Sequence, residues 1–265
     1  MRNSLMVVLP AYNEQGNVER MVKRWLALEG VIKDRYQLEL EVVIVNDGSK
    51  DRTEILSREL SDTYMNVTLI NHEGNKGLGE AVKTGVKYAI QNEDTCKYLC
   101  IMDCDNTQDP DYVIDMLEKV ETSQTLDVVI ASRYQKGAKV HGLSGFRHLT
   151  SFGARLVFKL LLPVKQVRDY TCGYRLYRTS TLKRAYTEFG ENIIEDSGFT
   201  CMVELLYKLN IIGATFTEIP FELHYDEKVG ASKMKVLKTS LRSISLGLHL
   251  RGIGGKKRRA LKEEV

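Results

Sequence analysis

Five short apolar runs alternate with stretches of helical spacing along the first 131 residues, and this alternation constrains the fold more than any single motif. Leu5 to Leu9, Leu40 to Val45, Val67 to Ile70, Leu99 to Met102 and Asp127 to Ala131 are predicted strands. The run from Leu5 to Leu9 has no polar residue, as expected of a parallel strand covered on both faces. Asn17 to Leu28, Thr53 to Leu60, Gly79 to Ile90 and Tyr112 to Val120 are predicted helices, and in the first of them Val18, Met21, Val22 and Trp25 share a stripe. Such alternation gives an α/β class with a mostly parallel sheet flanked by helices.

The second half has a different texture. Gly137 to Phe152 is rich in Gly, Ser, His and Arg and reads as an ordered functional loop leading into a helix. Ala154 to Leu162 is strongly apolar, Glu204 to Leu209 helical, Thr215 to Leu223 strand-like and Tyr225 to Lys235 polar and basic. Lys235 to Leu250 is a predicted amphipathic helix with Leu237, Leu241, Ile244 and Leu248 on one stripe and Lys238, Arg242, Ser245 and His249 opposite. A frayed basic tail with Lys256-Lys257-Arg258-Arg259 is expected behind it. A net charge of +3 is too small to point to nucleic acid. Five cysteines without a Cys-x-x-Cys pair read as reduced thiols in a reducing compartment. The apolar run at Leu5 is too short for a signal peptide, and no window of 18 apolar residues suggests a membrane span.

Function is expected where the strands end. Asp103-Cys104-Asp105 follows the fourth strand, and two carboxylates one residue apart there can face the crevice in which open α/β sheets bind ligands. Hard oxygen ligands suit Mg²⁺ or Mn²⁺, which neutralises a diphosphate. Taken alone, the pair reads equally as a solvated loop with capping residues. Three other segments line up with it: Pro10-Ala11-Tyr12-Asn13-Glu14, Asn46-Asp47-Gly48-Ser49-Lys50-Asp51, and Asn75-Lys76-Gly77-Leu78-Gly79-Glu80-Ala81. The glycines are expected to let backbone approach a phosphate at a helix N-terminus, and the acidic residues to meet ribose hydroxyls and base edges.

With these segments the chain resembles family 2 glycosyltransferases of the GT-A fold, a Rossmann-like sheet. Within them it is similar to the dolichyl-phosphate mannose synthase and polyprenyl-phosphate glycosyltransferase group. The resemblance runs from Leu5 to about Lys235. Ser132-Arg133-Tyr134, Gly142-Leu143-Ser144-x-x-Arg147-x-x-x-Ser151, Asp169-x-Thr171-Cys172-Gly173-Tyr174-Arg175 and Gly230-x-Ser232-Lys233 match that subgroup in order. It implies a GT-A domain over 1–225, with a nucleotide-sugar half (1–131) and an acceptor half (132–225), then an active-site loop, helix and tail over 226–265. It implies donor contacts from Pro10, Tyr12, Glu14, Asp47, Lys76, Gly77, Ser232 and Lys233. Asp103 and Asp105 would hold Mg²⁺ or Mn²⁺, and Arg133, Arg147 and Ser151 the phosphate head of a lipid acceptor. Arginine forks fit phosphate oxygens, and salt bridging is the alternative role for both arginines. Two positions depart from the pattern. Thr107, with Gln108 beside it, stands where the subgroup usually has a metal-site Gln, and Glu227, followed by Lys228, where it often has Arg.

The expected reaction is inverting, metal-dependent transfer of a sugar from GDP-mannose or a UDP-hexose to a polyprenyl or dolichyl phosphate. An ionised phosphate needs no strong base and has only to be positioned. If the acceptor were a saccharide or protein hydroxyl, Glu195 and Asp196 are the candidate base. A non-catalytic nucleotide-sugar-binding subunit is a further alternative, which the intact Asp103/Asp105 pair opposes. A nucleotidyltransferase would carry a Gly-rich basic loop where Pro10-Ala11-Tyr12 stands. A lipid acceptor without a membrane span implies a cytoplasmic protein peripheral to an anionic membrane surface, seated by Leu156 to Leu162 and the terminal helix.

Overall fold

The computed structural model describes residues 3–142, 153, 155–227 and 246–253. Its centre is a seven-stranded sheet of order β3-β2-β1-β4-β7-β5-β8. The strands are β1 (Ser4–Ala11), β2 (Glu39–Asn46), β3 (Val67–Asn71), β4 (Cys96–Ile101), β5 (Val128–Ser132), β7 (Arg175–Arg178) and β8 (Phe216–Pro220). Neighbours pair in parallel except at β7, which runs antiparallel to both β4 and β5. A small parallel ladder joins β6 (Lys139–His141) to β9 (Glu222–His224). The flanking helices are α1 (Val18–Leu26), α2 (Glu29–Tyr36), α3 (Thr53–Thr63), α4 (Leu78–Gln91), α5 (Tyr112–Glu121), α6 (Thr179–Phe189) and α7 (Cys201–Ile211).

The apolar runs behave as their composition requires. Leu5 to Leu9 and Val42 to Val45 are fully buried, and the predicted stripe of α1 packs inward around Trp25. All five cysteines are buried free thiols. The predicted single strand from Thr215 to Leu223 is instead two strands in two sheets, β8 and β9, divided after Pro220. Proline cannot donate to a ladder and marks such a break.

Strand β7 escapes a pattern reading because it is four residues long and carries arginine at both ends. Arg175 is buried, with Nη1 donating to Met202 O at 2.7 Å and Nη2 to Tyr170 O at 2.7 Å. Arg178 donates to the carbonyls of Leu126, Val120 and Ser123. Both guanidinium groups donate to main-chain oxygens of neighbouring loops and helix ends, which offsets the cost of burying their charge. The helix α2, the strand β6 and the helix α6 also lie outside the sequence expectation.

At the C-terminal end, residues 246–253 are helical; the predicted stripe positions Leu237, Leu241 and Ile244 lie outside the described residues. Leu250 is buried and a side chain at Gly247 would meet Leu161, while Leu248 points outward. The inward face of this segment is therefore one step round from the predicted stripe.

Candidate active site

The loops after β1 and β2 are laced into one rim. Ala11 and Asn46 are in register at the carboxyl ends of the two strands. Beyond them Asn13 N donates to Ser49 Oγ at 2.9 Å, Lys50 N to Asn13 Oδ1 at 2.8 Å and Glu14 N to Thr53 Oγ1 at 2.7 Å. Asn13 adopts a left-handed φ of 52°, which asparagine tolerates better than most residues. Pro10 and Tyr12 stand half-buried at this rim.

Asp47 is the hub of the next loop. It is buried, and its Oδ1 meets His72 Nδ1 at 2.7 Å and accepts from Lys76 N at 2.9 Å. Its Oδ2 accepts from Asn75 Nδ2 at 2.9 Å and Gly77 N at 2.8 Å. A carboxylate so engaged fixes the turn that presents Lys76, an exposed side chain, at the start of α4. His72 closes the network by bonding Thr84 Oγ1 at 2.9 Å. No motif signalled His72.

The glycines of this segment have a reason the sequence reading did not supply. A Cβ on Gly77 would stand 2.2 Å from Ser197 O, and one on Gly79 1.8 Å from Asp196 O. Gly79 N also donates to Ser197 O at 3.1 Å. The backbone brought close to the start of α4 is thus the chain's own, from the Glu195-Asp196 turn. That turn hangs from a buried ion pair. Glu204 Oε2 accepts from Glu195 N at 3.0 Å and Asp196 N at 2.8 Å. Lys208, also buried, donates to Glu204 Oε1 at 2.5 Å and to Glu195 Oε2 at 2.9 Å. The sequence marks this stretch only as helical; the structure makes Glu204 and Lys208 a buried i, i+4 pair.

Asp103 and Asp105 lie half-buried where β4 opens into its loop. Gln108 Nε2 donates to Asp103 Oδ2 at 2.9 Å, and Thr107 Oγ1 to Asp105 Oδ1 at 2.6 Å. A side chain at Gly173 would begin 3.2 Å from Asp103 Oδ1, so glycine there keeps room beside the carboxylate. Asn106, at a left-handed φ of 61°, donates to Asn17 Oδ1 at 2.7 Å, and Asn17 Nδ2 to Glu14 Oε2 at 2.6 Å. This chain ties the loop after β4 to the loop after β1. Asn106 Oδ1 is buried with no hydrogen-bond partner among the described residues. Two carboxylates beside a space that a Cβ at Gly173 would narrow offer hard oxygen ligands, which fits a hard divalent ion.

Arg133 is held by the motif that follows it in sequence. Its Nε donates to Asp169 Oδ2 at 2.8 Å, and its Nη2 to Asp169 Oδ1 at 2.6 Å and Thr171 Oγ1 at 2.7 Å. Burial acts to raise the pKa of Asp169, but the charge and hydrogen bonds of Arg133 outweigh it and hold the carboxyl below its usual value. Arg133 is thus ion-paired with a fully buried carboxylate rather than with a surface partner, which fixes its guanidinium while leaving it partly exposed. Arg147, Ser151, Ser232 and Lys233, and the side chain of Glu227, lie outside the described residues.

The family model for glycosyl transferase family 2 matches residues 6–185, the stretch that builds this rim. The chain belongs to glycosyl transferase family 2. A dolichol-phosphate mannosyltransferase of Pyrococcus furiosus is 32% identical over 231 residues, covering 86% of this chain and 58% of that protein. This chain thus spans less than two thirds of that relative. A polyprenol monophosphomannose synthase of Mycolicibacterium smegmatis is 26% identical over 230 residues, covering 86% of this chain and 80% of that one. Among solved structures, glucosyl-3-phosphoglycerate synthase from Mycobacterium tuberculosis, in complex with Mn²⁺, UDP and phosphoglyceric acid, superposes with a TM-score of 0.64 at 17% identity. The match covers 94% of this chain and 78% of that one and places the family 2 member in the GT-A fold.

Proposed function

We propose that this chain transfers a sugar, with inversion, from a nucleoside diphosphate sugar to a polyprenyl phosphate. One observation carries the reading. A Cβ on Gly173, from the motif typical of the lipid-phosphate subgroup, would stand 3.2 Å from Asp103 Oδ1, and this closeness supports one site for the donor and acceptor motifs. Asp103 and Asp105 would hold Mg²⁺ or Mn²⁺, with Gln108 reaching the same carboxylate. Such an ion supplies neutralisation of the charge on the leaving nucleoside diphosphate. Tyr12, Glu14 and Lys76 line the donor side, and the Asp47 network sets the turn that carries Lys76. Arg133, fixed by Asp169, and Arg147 supply positive charge for an acceptor phosphate, which is already an ionised nucleophile.

Glu195 supports this choice over a hydroxyl acceptor, because Lys208 already engages its Oε2. An exposed leucine pair marks the lipid side: Leu156 and Leu160 are 52% and 69% exposed, one helical turn apart, and Leu248 is 59% exposed. Single exposed leucines are ordinary, but these flank the contact between Gly247 and Leu161. We read them as the part seated in the headgroup layer of a cytoplasmic membrane face; no helix among the described residues is long and apolar enough to cross one.

The test is a pair of variants assayed with labelled donor and polyprenyl phosphate. Arg147→Ala should raise the apparent acceptor constant strongly and leave donor binding nearly unchanged, while Glu195→Gln stays mild. A dead Glu195→Gln beside a healthy Arg147→Ala would instead assign a hydroxyl acceptor.

A further inference from the structure

A second cluster, of different ligand chemistry, stands on the β6–β9 ladder, which meets the carboxylate loop where His224 N donates to Thr107 O at 2.9 Å. His141 and His224 are cross-strand partners, their rings 4.7 Å apart and 9° from parallel. Glu222 lies two residues before His224 on the same face, and its Oε2 is 3.2 Å from His141 Nε2. One ligand atom from each of the three lies within 4.8 Å of the other two. All three are half-exposed, so an ion can reach them.

We propose that His141, Glu222 and His224 bind a borderline divalent cation of the zinc class. Ligand atoms about 2.0–2.1 Å from a tetrahedral zinc stand about 3.3 Å apart. The His141–Glu222 spacing already has that value, and a turn of the His224 ring closes the third edge. Two imidazoles and one carboxylate favour Zn²⁺, Ni²⁺ or Cu²⁺ over Mg²⁺, which sets this cluster apart from the carboxylate pair Asp103 and Asp105. The surroundings resemble an outer shell. Lys139 Nζ holds the other oxygen of Glu222 at 2.7 Å, and Asp226 Oδ1 lies 3.8 Å from His224 Nδ1. The backbone beneath is fixed, because Glu222 N donates to Tyr112 OH at 3.0 Å and His224 N to Thr107 O at 2.9 Å.

The position gives the ion a structural task. Residues 143–152 follow directly on His141-Gly142, and residues 228–245 follow shortly after His224. A cation bridging His141 and His224 ties together the strand ends from which both acceptor-loop sequences depart. Binding at this cluster does not depend on the transferase reading, so the two stand or fall separately.

The experiment is titration of the full chain with Zn²⁺ by calorimetry, and with Co²⁺ by visible absorption, in excess Mg²⁺. One equivalent should bind and give the intense cobalt bands of a tetrahedral site. His141→Ala and His224→Ala should each weaken binding at least as much as loss of an outer-shell partner does, roughly 10–100-fold. Glu222→Gln should weaken it too, and Asp105→Asn should leave it unchanged. Should an alanine variant fail to fold by circular dichroism, Zn²⁺ must still protect both histidines of the parent chain from acylation, read by mass spectrometry. The proposal is overturned by absence of stoichiometric binding, or by equal binding to the histidine variants. Loss of binding in Asp105→Asn also overturns it, since the ion would then belong to the Asp103/Asp105 site.

Discussion

Gly30 and Gly79 are the second residues of helices α2 and α4, yet the same substitution should move stability in opposite directions. Alanine for glycine in a helix ordinarily stabilises by about 0.5–1 kcal/mol. At Gly30 nothing lies within 4 Å of an added Cβ, so Gly30→Ala should show up to that gain. At Gly79 the Cβ would sit 1.8 Å from Asp196 O and 2.8 Å from the carbon behind it, a backbone obstacle rather than a flexible side chain. The Asp196 backbone cannot drift freely, because Glu204 grips the N–H groups of Glu195 and Asp196. Overpacking of this kind costs about 1–3 kcal/mol. Parting Gly79 N from Ser197 O forfeits about 1 kcal/mol more. These outweigh the helix gain, so Gly79→Ala should lose about 1–3 kcal/mol. Urea unfolding followed by circular dichroism reads both variants, with unchanged m-values required. A Gly79→Ala protein as stable as the parent would refute the packing of the acidic turn on α4.

Asp105→Asn should abolish sugar transfer with the fold intact, a loss of several kcal/mol of transition-state stabilisation if it removes a charged ligand; undiminished transfer, or full activity in excess chelator, would contradict the assignment. Asp169→Asn should cost about 3 kcal/mol, the lower end for breaking a buried pair because Arg133 keeps partial exposure. The folded-state pKa of Asp169 lies below its ordinary 3.8, so its contribution is present above that pH and fades as acid titrates the folded carboxyl. The gap between parent and Asp169→Asn in acid-unfolding curves should therefore shrink below pH 3.8, and a gap that widens there would rule the linkage out. Vesicles containing anionic lipid should sediment the full chain at low salt, less so when Leu156 and Leu160 become Ser or when Lys256 to Arg259 do. Each basic residue near the surface is worth about 1 kcal/mol, and a protein left in the supernatant sinks the peripheral reading.

The sequence made the first half of the sheet legible because its strands are apolar runs and its loops carry Asp and Gly at their ends. Residues 96–105 show this well: composition alone marks both the strand and the pair of carboxylates. What it hid are elements whose side chains satisfy several demands at once. Arg175 and Arg178 each donate to main-chain carbonyls outside their own strand, a role no local pattern announces. Gly77 and Gly79, read as ligand contacts, also accommodate Ser197 and Asp196, about 120 residues further on, a contact no local spacing encodes. Asp47, read as a ligand contact, also organises a turn whose histidine, His72, sits in no recognisable motif. His141 and His224 are far apart in sequence and meet only because β6 and β9 pair.

The placement of β7 has a consequence for how the chain must be made. Strand β5 comes from the first half of the sequence, but both its neighbours, β7 and β8, come from the second. While residues up to 132 have left the ribosome, four strands can already assemble as β3-β2-β1-β4, with the far edge of β4 uncovered. Val128 to Ile130 have nothing to pair with until Arg175 to Tyr177 arrive. An apolar strand waiting beside an open edge is a template for wrong pairing. Nascent chains halted within residues 133–174 are therefore expected to aggregate more readily than the completed chain.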